Sequence, residues 1–176
     1  MTPPKPARLP MPAAVAAAFD AFRQPLRARL LEVRCLIFET AAETAGVGPL
    51  TETLKWGEPA YLTDATGSGS TIRLGRLRTS DETCAVLFNC RTTLVEAFRA
   101  HFPETFAYQG NRAILLDLDD PLPAAPLAIC LAMALTYHRR GCGSINPRRR
   151  RSPPALARRD RASERGASGS RSSGGR

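Results

Sequence analysis

Residues 84–90 constrain the fold more than any other run in the chain. Cys84, Val86, Phe88 and Cys90 alternate there with Ala85, Leu87 and Asn89. A strand places successive side chains on opposite faces, so this one is largely apolar on both. A strand covered on both sides belongs in the middle of a sheet. The rest of the chain must therefore supply neighbouring strands and something to cover them.

The neighbours are legible in turn residues and alternation. Leu54-Lys55-Trp56-Gly57-Glu58-Pro59-Ala60-Tyr61-Leu62-Thr63 is too irregular for one long strand, and Pro59 tolerates only an edge or a bend. The pattern predicts short or bent strands at 53–57 and 60–63 and a flexible Gly67-Ser68-Gly69-Ser70 loop. A strand through Thr71–Gly75 follows, in which Ile72 and Leu74 face the core while Arg73 and Gly75 face away. Later, 106–108 and 113–119 flank Gly110-Asn111, a pair suited to a tight hairpin turn.

The covering elements are helices. Pro12 fits the first turn of a short helix that carries Val15, Phe19 and Phe22. Pro25 starts a second, with Leu26, Leu30, Val33 and Ile37 on one face and Leu31, Cys35, Phe38 and Ala42 beside them, ending near Gly46. Thr92 or Thr93 is placed to cap a third, carrying Leu94, Val95, Phe98 and Phe102 as far as Pro103. A last helix is expected from Pro123 to Arg140, with Leu127, Leu131, Leu135 and His138 on one stripe. Hairpin-linked strands among segregated helices predict an α+β domain, an antiparallel sheet with helices packed on one face.

Charge separates that domain from what flanks it. Residues 1–140 hold 15 Lys+Arg against 14 Asp+Glu, and residues 141–176 hold 10 against 2, so +8 of the net +9 lies in the tail. A basic binding face on the domain thus has no support from overall charge. Residues 143–176 are Arg, Ser, Gly, Pro and Ala with almost no bulky apolar side chain, and such a segment is expected to be disordered. The boundaries read as a disordered lead-in at 1–11, one domain at 12–142 and the tail. Arg148–Arg151 could touch nucleic acid or an acidic surface through nonspecific charge. No run has the ~20 apolar residues of a membrane span and no secretory leader is recognisable, which makes the cytoplasm the expected compartment.

Five cysteines, Cys35, Cys84, Cys90, Cys130 and Cys142, show no metal-binding or disulfide spacing. The first four fall on apolar stripes, where Cys packs as a small hydrophobe. His101 has no obvious neighbour and His138 sits on an apolar stripe. No nucleophile elbow or phosphate loop occurs. The expectation is a protein without catalytic activity.

Five motifs, in order, carry a resemblance: Leu54–Tyr61, Thr71–Gly75, Leu87-Phe88-Asn89-Cys90, Gly110-Asn111-Arg112-Ala113-Ile114 and Leu135-Thr136-Tyr137-His138. Over about residues 12–140 the chain resembles the YdhG-like family of small bacterial domains, and departs from it at Gly141. The resemblance implies a compact α+β domain of largely unknown function. Some members are regarded as frataxin-like, which implies iron as a possible ligand and a role in iron homeostasis.

Two sets of residues are candidates for binding. Iron requires converging carboxylates, and Glu32, Glu39 and Glu43 share roughly one face of the second helix, with Arg29 and Arg34 nearby to neutralise it. Asp117, Asp119 and Asp120 are acidic too, but mark a turn. The alternative is a small-ligand or protein-binding module on the sheet face the helices leave open. Lys55, Trp56, Tyr61, Arg73, Asn89 and Arg112 could converge there, with the arginines holding an anion or a carboxylate.

Overall fold

In a computed structural model of the chain, residues 10–77 and 80–140 are described, those at 80–82 and 140 by backbone alone. The chain divides into two units, Met1–Ile145 and Asn146–Arg176. The second unit, Cys142 and the expected disordered tail lie outside the described residues.

The domain opens with α1 (Ala13–Asp20) and α2 (Leu26–Glu43). Then come β1 (Thr51–Lys55), β2 (Glu58–Leu62), β3 (Ile72–Leu77) and β4 (Ser80–Leu87). The helix α3 (Leu94–His101) leads to β5 (Ala107–Gln109) and β6 (Ala113–Leu116), and α4 (Ala124–Leu135) and α5 (Tyr137–Arg140) end it. Every strand pairing is antiparallel, in the order β1-β2-β3-β4-β6-β5. The doubly apolar strand β4 therefore sits inside the sheet, as its sequence requires.

All the helices contribute to one face. Val15 and Phe19 of α1, Leu30, Val33 and Ile37 of α2, Phe98 of α3 and Leu127, Leu131 and Leu135 of α4 are buried together. They meet Tyr61, Ile72, Leu74, Cys84, Val86, Ile114 and Leu116 from the sheet. The opposite face carries a small apolar strip, Ala85, Leu87 and Ala113 with Leu115 against them. This is the expected α+β architecture. Met11 also packs on the core.

Three local expectations need correction. The Gly67-Ser68-Gly69-Ser70 segment is a clamp on the end of α4 rather than a flexible loop. The Ser68 hydroxyl donates to the Leu135 carbonyl at 2.8 Å and the Ser70 N–H donates to the Ala134 carbonyl at 2.8 Å. The Ser68 carbonyl in turn accepts the His138 N–H at 2.9 Å. Gly69 is required because a Cβ there would lie 2.4 Å from the Leu135 carbonyl oxygen. These bonds satisfy the carbonyls that a helix end leaves open. The clamp divides the expected single last helix at Thr136, so the exposed His138 is off the apolar stripe.

The second correction concerns Cys90, which is exposed because the strand ends at Leu87 and the chain turns at Asn89. The third concerns the cap of α3, where neither Thr92 nor Thr93 caps by its side chain. The Thr92 hydroxyl donates instead to the Asn89 carbonyl at 2.6 Å.

Candidate functional site

The open face is shaped by a turn and a loop. Trp56 and Gly57 join β1 to β2 with φ of 59° and 78°, the pair of positive values that a two-residue type I′ hairpin turn requires. The register sets Lys55 opposite Glu58, on the face away from the helices. The expected strand 53–57 thus stops at Lys55, and Trp56 stands at the hairpin tip with 90% of its surface exposed.

On the next strand, Arg73 pairs with Ala60 across β2–β3 and projects to the same face. Its Nη1 donates to Glu58 Oε2 at 2.5 Å, in a half-exposed pair whose side chains retain 22% and 29% of their accessible surface. Beyond β4, the Asn89 Oδ1 accepts the Arg91 N–H at 3.0 Å, and the Asn89 carbonyl accepts the Thr92 N–H at 3.0 Å. This side-chain turn orients the loop before α3. The Phe88 N–H donates to the Arg112 carbonyl at 2.7 Å and the Asn111 Nδ2 to the Cys90 carbonyl at 3.4 Å, tying that loop to the β5–β6 turn.

These elements enclose a cleft of about 610 Å³. Lys55, Trp56, Arg73, Asn89 and Arg112, five of the six binding candidates, line it together with Glu58, Thr71, Cys90 and Arg91. Four cations thus face one carboxylate. Among the described residues, Arg73 alone of the four cations has an ion-pair partner. Tyr61, the sixth candidate, is not there. It alternates to the helix side, where it is fully buried against Phe38 with its ring edge-on at 5.7 Å between centroids.

The helix side holds a different pair. Arg34 donates from Nε and Nη2 to the two oxygens of Glu52 at 2.6 and 2.7 Å. Both side chains are buried, at 4% and 5% exposure. The Glu52 hydrogen bond raises the Arg34 pKa above its ordinary value despite burial, and burial, followed by the Glu52 charge, pushes up that of Tyr61. Arg34 lies one position past Val33 and four past Leu30, inside the buried arc. That position was the available signal that Arg34 is not on the exposed acidic face.

The acidic candidates do not gather. Glu32 is paired with Arg29, whose Nε lies 3.2 Å from its Oε2, while Glu39 and Glu43 are exposed. Among the described residues no three His, Cys, Asp or Glu side chains are grouped to hold a metal ion. Asp117 accepts the Asp119 N–H at 3.0 Å, the bond of a turn. No helix among the described residues is long and apolar enough to cross a membrane. Arg91, which the sequence reading did not single out, completes the cleft.

No family model matches the chain, and no curated protein matches it. Among solved structures it is similar to YdhG, a protein of the DUF1801 family from Bacillus subtilis. The TM-score is 0.50 at 15% identity, over 74% of this chain and 94% of that one. At that identity the likeness is one of fold, and the fold the chain shares with that protein is an α+β domain built on an antiparallel sheet.

Proposed function

We propose that the domain is a non-catalytic binding module for small anions, held in the cleft on the open face of its sheet. The observation that carries this reading is the imbalance of charge. Lys55, Arg73, Arg91 and Arg112 line a cleft whose only carboxylate among the described residues is Glu58, in a segment, 1–140, whose net charge is only +1. Positive charge concentrated on one concavity favours an anion there without making the whole domain basic. Arginines are suited to the task because their planar donors match carboxylate or phosphate oxygens two at a time. Glu58 holds the Arg73 guanidinium at one donor and leaves the others for a ligand.

The iron-homeostasis reading rests on resemblance and on Glu32, Glu39 and Glu43, and it ranks second because those carboxylates do not converge. Titrating inorganic pyrophosphate and citrate into the full chain by calorimetry tests the anion reading. Saturable binding is expected, weaker at high salt. R112Q should lower affinity by roughly 10- to 100-fold, since a charge-assisted hydrogen bond contributes about 1.5–3 kcal/mol. Heat that is absent, or identical in R112Q, would count against the cleft.

A further inference from the structure

We infer that the anion held in this cleft is the phosphate of a nucleotide whose base stacks on Trp56. The inference rests on the anion-binding reading and adds the chemistry of the rest of the ligand. Two independent departures meet at Trp56. It is the only tryptophan in the chain, yet it is 90% exposed, far beyond Ile129 at 50%, the other large apolar side chain left in solvent among the described residues. It is also the one non-glycine residue with positive φ among the described residues, at 59°.

A bulky side chain is disfavoured in the left-handed region, and the first position of a two-residue I′ turn suits Asn or Gly instead. Folding draws no benefit from the indole in return, since it buries almost none of it. A residue that breaks two local rules with no compensation in the fold marks a functional position.

The surroundings define what the indole would meet. Trp56 lines the same cleft as Lys55, Arg73, Arg91 and Arg112. The ligand therefore presents a flat ring and an anionic group on one small molecule or repeating unit. An inorganic anion or a simple carboxylic acid satisfies the cations and leaves the indole unused. A nucleotide supplies both, a π-face for stacking and a phosphate for the guanidinium groups. The cleft, at about 610 Å³, falls within the ~300–1,000 Å³ of sites that enclose ligands of this size. The unit could be a free mononucleotide or one residue of a single strand, and both present the same ring and phosphate.

The test uses the fluorescence of Trp56, which as the single tryptophan reports on this site alone. AMP, ribose 5-phosphate, adenosine and a ten-residue oligoadenylate are titrated into the full chain and into W56N, with affinities from calorimetry. AMP should bind saturably and quench the emission, while ribose 5-phosphate should bind at least tenfold more weakly with no quenching. W56N should lose that AMP advantage and keep its ribose 5-phosphate affinity. Because Asn suits the turn better, it should melt at the same or a higher temperature.

Both chains carry the same basic tail, so nonspecific phosphate binding cancels in the comparison. An oligoadenylate that loses more affinity than AMP on going from the native chain to W56N identifies a single strand as the source, and the reverse identifies the free nucleotide; either upholds the inference. Equal binding of AMP and ribose 5-phosphate without quenching overturns it and leaves the anion reading standing. No binding of any phosphate overturns both. A W56N chain that melts well below the native one also overturns the inference, because Trp56 would then be holding the fold.

Discussion

The two faces of the sheet each carry an arginine–glutamate pair, and the pairs behave as opposites. On the helix side, Arg34 and Glu52 are bidentate and shut away from water, with Tyr61 and Phe38 against them. On the open side, Arg73 and Glu58 share one contact and remain in reach of solvent. A buried pair has nothing to exchange with, since removing either partner leaves a charge without water or counter-ion. A half-exposed pair contributes little to stability and can trade its carboxylate for a ligand's. The same two residue types thus serve packing on one face and, in the proposed function, recognition on the other, and burial is what separates them.

The strongest way to break this contrast is Glu52→Ala. It leaves Arg34 buried and unpaired, and chemical denaturation should show a loss of about 3–5 kcal/mol. A result near zero would mean that the buried pair is no more structural than the open one.

A pH titration sharpens the same contrast. Burial pushes the thiols of Cys84 and Cys130, both in the covered core, up to about 12. Each therefore stays protonated in the folded state at a pH where the unfolded thiol has ionised. A raised acid pKa contributes stability that is fully present below the unfolded thiol's pKa and is lost as pH rises toward about 12. Each thiol steepens that fall by at most about 1.4 kcal/mol per pH unit. The denaturation midpoint should decline across this range, and less steeply in a chain carrying C84A and C130A.

Two glycines extend the comparison. Gly69→Ala drives a Cβ to 2.4 Å from the Leu135 backbone oxygen on the covered side. Thermal melting should show a loss of about 1–3 kcal/mol, as for overpacking. Gly75→Ala on the open side meets the movable Glu58 carboxylate at 3.1 Å, so it should destabilise less and disturb anion binding more. The smallest effect on stability belongs to Glu58→Gln, below about 1 kcal/mol. By removing the single carboxylate of the cleft it should raise pyrophosphate affinity severalfold in calorimetry. A fall in affinity would mean that Glu58 serves mainly to position Arg73.

Much of the fold was legible from local pattern. The alternation through 84–88 placed β4 inside the sheet, and the apolar stripes located the helices, because a period of 2 or 3.6 is a property of neighbouring residues. The position of Arg73 on the open face followed from the same parity, whereas Arg112 shares the parity of the inward-facing Ile114 and Leu116 and reaches the cleft because it lies in the turn before β6. Tyr61 was misassigned because a two-residue turn at Trp56-Gly57 reset the alternation after Lys55. That turn was hidden by a tryptophan standing where a sequence reader expects asparagine.

The sequence by itself determined the α+β class, the central strand and the segregation of charge into residues 141–176, since each depends on composition or short-range period. Only the tertiary structure decided that the Gly67–Ser70 segment clamps α4, that Arg34 is buried with Glu52, and that Arg91 joins the cleft. Each of these is a meeting of residues far apart in the chain, 67 positions between Ser68 and Leu135 and 18 between Arg34 and Glu52. Such pairings arise from how the elements pack, and no local period carries them.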